Sequence, residues 1–314
     1  MNADIWFFGT GNFAARCLEK ISAVYPPALV VTMPPARGGR GMKTLTVPVE
    51  EAALKLNLPL IRSSSVNNDE KLLALFHEKT PDLIFVIDFG QKIGEPWLTG
   101  PKRGCLNIHP SLLPLYRGAA PVQRAIMDGA GKTGVTLFRL VEKMDAGPVW
   151  YQAESPIGPE ENTSELLERM ADLGSSLFIR HAAAILNGTA VLAEQDETKA
   201  TSAPKIEKAE ARLNPDLPAL VLHHLVCGLS PVPGAYFMFR GKRIKVLKTR
   251  LSKASALKGS LKAVKGAVYL GTQEGSLELT SVQPEGKKAM PASEWVRGLK
   301  LRDNEMIDPQ PLTV

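Results

Sequence analysis

The first third of the chain alternates short, mostly apolar runs with amphipathic stretches, and that alternation leaves few folds open. Ile5–Phe8, Ala28–Thr32 and Leu83–Ile87, with Cys105–Ile108 broken only by Asn107, are too apolar to keep one face in water; strands of that kind are buried on both sides. Between them, Phe13–Ile21, Val49–Leu56 and Asp69–His77 carry helical spacing. Strand and helix in repetition predict βαβ units, hence an α/β domain with a mostly parallel sheet and helices on both faces. Asn162, with Glu165 three positions later, has the form of a capping box, opening a helix that runs through Leu186 and is stopped by Asn187-Gly188.

The character then changes. Glu194–Arg212 is polar, with few large apolar residues, as expected of a connecting segment. Beyond a short helix near Ala219–Cys227 come Tyr236–Phe239, Ile244–Leu247, Ala267–Leu270 and Leu277–Val282, short strands parted by glycine and polar residues. They predict a small antiparallel barrel or sandwich. With 314 residues the chain is long enough for two domains, expected over 1–189 and 209–314 with a connection over 190–208. Residues 201–314 hold 18 Lys and Arg against 10 Asp and Glu, whereas residues 1–200 hold 20 against 22. The window Arg240–Lys265 has ten basic residues and no acid. Such a split suggests catalysis in one part and a polyanion on the other, and charge alone leaves a solvated lysine-rich surface equally open.

Composition also excludes. Cys17, Cys105 and Cys227 are far apart, without a CxxC pair, which argues against a disulfide framework and a structural zinc site and fits a reducing compartment. No stretch approaches the roughly 20 apolar residues that cross a bilayer, and the first residues, MNADIWFFGTG, lack a basic flank and long apolar core of a secretory signal. A cytoplasmic protein that touches neither membrane nor DNA is expected, and nothing calls for an obligate dimer, so a monomer is expected too.

Gly9-Thr10-Gly11-Asn12-Phe13-Ala14 fits the G-x-G-x-x-A dinucleotide fingerprint, but no acid lies between Glu19 and Glu50 to take the ribose hydroxyls. The glycines are read instead as a tight strand-to-helix turn. The densest polar cluster follows the fourth apolar run: Asn107-Ile108-His109-Pro110-Ser111-Leu112-Leu113-Pro114-Leu115-Tyr116-Arg117-Gly118-Ala119-Ala120-Pro121. Asn107 and His109, two apart on an extended segment, point to one side, and an amide donor beside an imidazole can hold a developing oxyanion and move a proton. A capping Asn and a structural His remain the plainer alternative for an isolated N-x-H. Asp145, in Lys143-Met144-Asp145-Ala146-Gly147-Pro148, can orient His109 or simply make a turn. Ala36–Lys43 is a glycine-rich loop with three cations, Arg37, Arg40 and Lys43, suited to phosphate or merely to solvent. His77 and His181 are read as structural, and His223-His224 point about 100° apart on a helix, poor geometry for a metal, so none is expected.

Together, the Asn107–Gln123 segment, Thr133-Gly134-Val135-Thr136 and Met144-Asp145-Ala146-Gly147-Pro148 resemble the formyltransferases that use 10-formyltetrahydrofolate. Ser230-Pro231-Val232-Pro233-Gly234-Ala235, Val282–Met290 and Pro204–Arg212 narrow the resemblance to the branch whose acceptor is initiator methionyl-tRNA. The resemblance covers essentially the whole chain. It implies a Rossmann-like sheet domain followed by an OB-like β-barrel that helps hold tRNA, with 10-formyltetrahydrofolate as co-substrate. It implies that Asn107, His109 and Asp145 are catalytic and that Ser111, Leu112, Leu113 and Pro114 contact the folate. Arg40 falls in the family's acceptor-stem loop, and tRNA contacts are expected from Arg37, Arg40, Lys43, Lys205, Lys242, Arg243 and Lys245. A formyltransferase for a sugar-nucleotide amine is the competing expectation, although a small acceptor requires neither the basic window nor the 36–43 loop. A non-catalytic RNA-binding protein is a third, which the intact Asn107, His109 and Asp145 oppose. Two positions depart from the family pattern: Gly11 stands where a proline is usual, and Asp88-Phe89 stands where a small apolar residue and tyrosine usually precede the glycine at 90.

Overall fold

The computed structural model describes residues 3–309 apart from 36, 39–42, 45 and 255, and the backbone alone at 37–38 and 43–44. The chain forms two compact units, one of Met1–Ala119, Thr133–Ser155 and Leu167–Ala203, the other of Ala120–Lys132, Pro156–Leu166 and Pro204–Val314.

The first unit is built on β1 (Ile5–Gly9) and β2 (Leu29–Thr32), then a short hairpin of β3 (Arg37–Gly38) and β4 (Lys43–Thr44), followed by β5 (Leu60–Arg62), β6 (Leu83–Ile87), β7 (Cys105–His109), β8 (Lys132–Arg139) and β9 (Val149–Pro156). The helices are α1 (Asn12–Ser22), α2 (Pro48–Lys55), α3 (Glu70–Glu78), α4 (Pro121–Met127), which falls in the second unit, and α5 (Thr163–Asn187). The main sheet has the order β5-β2-β1-β6-β7-β8-β9. Its first five strands are parallel and β8 runs antiparallel to β7, a mostly parallel, Rossmann-like sheet.

Every residue of β1, β2 and β6 is buried, the reason their sequences are apolar without alternation. Successive side chains point to opposite faces: Phe8 meets Trp97 with ring centroids 5.4 Å apart, while Phe7 meets Phe85 at 5.9 Å and Phe85 in turn meets Phe178 of α5 at 4.7 Å. Asp69 caps α3 by accepting from the Leu72 amide, and Asn162 and Glu165 form the reciprocal capping box at the start of α5. Strands β8 and β9 have no counterpart in the pattern of apolar runs. Their polar positions, among them Thr133 and Thr136 in β8 and Gln152 and Glu154 in β9, interrupt the apolar signal.

From β1 the chain builds outward to β2 and β5, then crosses to the other side of β1 for β6 and β7. Strand order therefore reverses between β1 and β6, the crevice where open α/β sheets take ligands. Gly9 pairs with Ile87 across it, and the Thr10 and Gly11 amides donate to the Asp88 carbonyl at 3.1 and 3.4 Å. Gly11, at φ −81° and ψ −176°, caps α1 in extended backbone open to any residue. What favours glycine is space: a Cβ there would overlap the Asp88 carboxylate, which would have to swing aside to admit it. The two departures from the family pattern are one contact, and the carboxylate lies over the turn where a dinucleotide's phosphates would lie. Asp88 is exposed as a residue, yet protein packed around its carboxylate desolvates it and pushes its pKa up from 3.8 to about 6.

The second unit carries α6 (Ala219–Leu229) and an antiparallel sheet of β10 (Ala235–Phe239), β11 (Lys242–Ser252), β12 (Ser260–Val264), β13 (Ala267–Gly271), β14 (Ser276–Pro284), β15 (Met290–Pro291) and β16 (Glu305–Met306), with α7 (Ala292–Arg297) after β15. The order is β10-β11-β14-β13-β12-β16, with β15 beside β14, curled into an OB-like half-barrel. Phe237, Val246, Leu270, Leu279 and Trp295 form part of its core with Leu222 and Val226 of α6.

The Gly11–Asp88 contact makes two predictions. Gly11→Ala meets no backbone strain, so whatever it costs is the displacement of the Asp88 carboxylate, and that cost should vanish in the Gly11→Ala/Asp88→Ala double variant, read by denaturant unfolding. Because the folded state binds the Asp88 proton more tightly than the unfolded chain, its ionisation lowers stability as pH rises from about 4 to about 6. Asp88→Asn should raise the melting temperature at pH 7.5, with the gain fading toward pH 4.

Candidate active site

Strand β7 presents Asn107 and His109 at the carboxyl edge, where they stand opposite Phe138 and Thr136 of β8. Asn107 Nδ2 donates to the Val86 carbonyl at 2.6 Å, next to the switch-point crevice, while its buried Oδ1 has no partner among the described residues. An amide carries two N–H groups, so one donor remains for a ligand. A buried polar atom left unpaired costs about 1–3 kcal/mol, a debt that a ligand in the crevice can remove.

His109 is 5% exposed, its ring edge-on to Phe138 at 6.3 Å. Its Nε2 lies 3.0 Å from the Tyr116 carbonyl. A carbonyl only accepts, so Nε2 carries the proton and Nδ1 is the basic nitrogen of the neutral ring. Nδ1 faces Asp145 Oδ2 at 3.9 Å, with both side chains largely buried. Asp145 adopts φ +49°, a left-handed conformation that aspartate tolerates better than most residues, and its Oδ2 accepts from the Gly118 amide at 2.8 Å. The structure thus brings Asn107, His109 and Asp145 to one edge of the first unit. The arrangement can donate to a developing oxyanion and hold a proton beside a carboxylate.

Ser111 is fully buried, and its hydroxyl donates to the Leu115 carbonyl at 2.6 Å, so it shapes the turn. Leu113 is buried, its amide donating to Thr136 Oγ1 and its carbonyl accepting from Gln152, whereas Leu112 and Pro114 are half-buried. Tyr116 (φ +58°) and Gly118 (φ +127°) place the carbonyl and amide that hold His109 and Asp145. Neither was singled out by chemistry, because both act through backbone atoms; the Arg117-Gly118 pair is the one sequence trace of that bend.

The other candidates fall elsewhere. His181 stacks on Tyr151 at 3.8 Å, and His223 is buried between Thr249 Oγ1 and the Pro159 carbonyl, each at 2.8 Å. The three thiols are free and buried, and burial pushes Cys17 up to about 12 and Cys227 to about 11, too high for a nucleophile. Arg37 and Lys43 lie in the β3–β4 hairpin, and Arg40 lies outside the described residues.

In the second unit Lys205, Lys242 and Arg243 are exposed and Lys245 half-buried. Ile244 and Val246 point into the barrel, so Arg243 and Lys245 point out, and Arg243 stacks over Tyr236 at 4.2 Å. Within the window 240–265, Arg240 makes a two-pronged pair with Glu305, Arg250 pairs with Glu160 and Lys258 with Asp216. The other cations there have no carboxylate partner among the described residues. Of the described residues, no helix is long and apolar enough to cross a membrane.

With that geometry in hand, the kinship is clear. Residues 3–182 match the formyl transferase family and residues 205–300 its C-terminal domain. A Moorella thermoacetica protein named methionyl-tRNA formyltransferase is 38% identical over 307 residues, covering 96% of this chain and 98% of that one. A Paracoccus denitrificans protein of the same name is 38% identical over 298 residues, covering 95% and 98%. Among solved structures, HypX from Aquifex aeolicus in complex with tetrahydrofolic acid superposes with a TM-score of 0.67 at 17% identity, over 99% of this chain and 51% of its own. WlaRD, a sugar 3N-formyl transferase solved in the presence of dTDP and 5-N-formyl-THF, gives 0.64 at 19% identity, over 92% and 100%. The chain spans about half the length of HypX, and both structures share its fold. The chain belongs to the methionyl-tRNA formyltransferase family.

Proposed function

We propose that the protein transfers the formyl group of 10-formyltetrahydrofolate to the α-amine of methionine on initiator methionyl-tRNA, with the OB-like domain within 209–314 holding the tRNA. The observation that carries this reading is the meeting of Asn107, His109 and Asp145 at one strand end, in a chain 38% identical to relatives of that name.

When bound, the folate supplies the formyl carbon. The Asn107 Oδ1, without a partner among the described residues, and its spare N–H suit a polar ligand group in the crevice, and Leu112 and Pro114 are only half-buried, leaving apolar surface for the folate. A free α-amine has a pKa of about 7.7–8 and a neighbouring ester lowers it, so attack needs no strong base. Asn107 donates its spare N–H to the formyl oxygen as negative charge develops there. His109 receives the proton lost by the amine at Nδ1, since Nε2 is held by the Tyr116 carbonyl. Asp145, 3.9 Å away, offsets the resulting positive charge as the gap closes. His109 then returns the proton to the departing folate nitrogen. Arg37, Arg40 and Lys43 are assigned to the acceptor end of the tRNA, and Lys205, Lys242, Arg243 and Lys245 to its body.

Charged initiator tRNA should be formylated far faster than free methionine or an amino-sugar nucleotide; preference for the sugar, or no tRNA formylation, would sink the reading. Asn107→Ala should cut the single-turnover rate by about 10²–10³ at saturating substrates. Reversing Lys242, Arg243 and Lys245 together should weaken tRNA binding and flatten its salt dependence, by up to about one unit of slope per lost phosphate contact. Folate affinity should stay as it was. Arg240→Ala should change that slope little, because Glu305 already holds the cation.

A further inference from the structure

The polar stretch read from sequence as a connection contains a second ring of contacts around Asp145 and His109. Gln195 reaches under the Asp145 turn, where its Nε2 donates to the Asp145 carbonyl at 2.8 Å and to the Gly147 carbonyl at 2.7 Å. Its Oε1 accepts from Arg117 through Nε at 3.1 Å and through Nη2 at 2.8 Å. Arg117 lies between Tyr116, whose carbonyl holds His109, and Gly118, whose amide holds Asp145. One side chain therefore ties together the turn that carries the carboxylate and the turn that orients it.

The rest of the segment tightens the same turn. Thr201 Oγ1 accepts from the Tyr116 amide at 2.8 Å, the Thr201 carbonyl accepts from the Arg117 amide at 2.9 Å, and the Ala203 amide donates to the Arg117 carbonyl at 2.6 Å. A Cβ on Gly118 would come within 2.6 Å of the Ala203 carbonyl, so the bend and the segment fit only with glycine there. On the outer side Glu197 pairs with Arg117 at 2.7 Å and Lys143 at 2.6 Å. Those two cations hold its carboxyl down to about 2.

We propose that Gln195 is a positioning residue for formyl transfer: bridging Arg117 to the Asp145 and Gly147 carbonyls, it holds the Asp145 carboxylate against His109. The inference rests on the formyltransferase reading for its kinetic consequence and on geometry alone for its structural one. A glutamine is suited to the task because one amide supplies two donors to carbonyls and an acceptor to a guanidinium, in a single plane. Removing any one of these contacts frees a turn on which the carboxylate depends, and small misplacements of reacting groups are costly in rate.

The test uses the full chain with Gln195→Ala, Gln195→Glu and, as a control in the same segment, Asp196→Ala, whose side chain among the described residues bonds only Thr198 and Lys199. Gln195→Glu keeps the Arg117 contact but cannot donate to the two carbonyls, so it separates positioning from holding the segment in place. Both Gln195 variants should lower kcat about 10–100-fold, by analogy with the loss of an outer partner that orients a metal-ligating side chain. KM for the folate should stay within about twofold, and Asp196→Ala should behave as native. On an Asp145→Asn background, Gln195→Ala should add nothing. The ring-nitrogen NMR shifts of His109 in the free protein should move in both Gln195 variants and not in Asp196→Ala. Native kcat in Gln195→Glu, additive losses with Asp145→Asn, or unmoved His109 shifts would each overturn the proposal. If the native protein fails to formylate tRNA, the functional reading falls, and the His109 shifts still decide whether Gln195 positions the pair.

Discussion

The contact between the Gly118 amide and Asp145 Oδ2, 2.8 Å long, is the one on which the site depends. A backbone donor has no rotamer to change, so its direction is set by the chain's path, and here that path is unusual. Tyr116, Gly118 and Asp145 all have positive φ. Gly118 takes its conformation freely, but the other two carry a penalty of order 1–3 kcal/mol each. Such conformations persist where neighbouring contacts over-determine them. That is the physical use of the many hydrogen bonds that the 195–203 segment makes to these turns.

The parallel sheet was legible because its central strands are buried on both faces, so β1, β2 and β6 announce themselves as apolar runs wherever they sit in the chain. β8 and β9 gave no such signal, since Thr136 and Gln152 use their polar side chains to hold the Ser111–Leu113 turn from beneath. β12 gave no signal for a related reason: Ser260-Leu261-Lys262-Ala263-Val264 is as long as β10 and β13 but too mixed in polarity to stand out. Asn107 and His109 were legible from the two-residue strand period, a local rule. Asp145 was nominated by chemistry but could not be placed, because its partner lies 36 positions earlier. Gln195 left no trace at all. Its partners lie 48, 50 and 78 positions away, and a polar residue in a polar stretch looks the same whether it meets water or holds a turn.

Gly11 and Asp88 teach a different lesson. Taken singly, each is a departure from the family pattern without a reason. The glycine is not demanded by its backbone angles, and burial alone pushes the pKa of the carboxylate up. Together they are a matched pair, since the carboxylate occupies the space that any side chain at position 11 would fill. Co-dependence of this kind is invisible to position-by-position comparison and follows at once from two strand ends being neighbours across the switch-point crevice.

The charge contrast between the two halves of the chain is likewise refined by structure. Formal counting treats every cation in 240–265 alike, whereas Arg240, Arg250 and Lys258 are tied to carboxylates. What remains is ordered by the pleat of β11. Ile244 and Val246 must face the barrel interior to build its core, so the residues between and beside them are forced outward. The cations at 243 and 245 therefore share one face of the sheet, and Tyr236, opposite Lys245 in register and beneath the Arg243 guanidinium, adds a flat surface to the same face. Packing of the barrel core thus sets the geometry of the basic surface, since the burial of Ile244 and Val246 leaves Arg243 and Lys245 no other side of the strand.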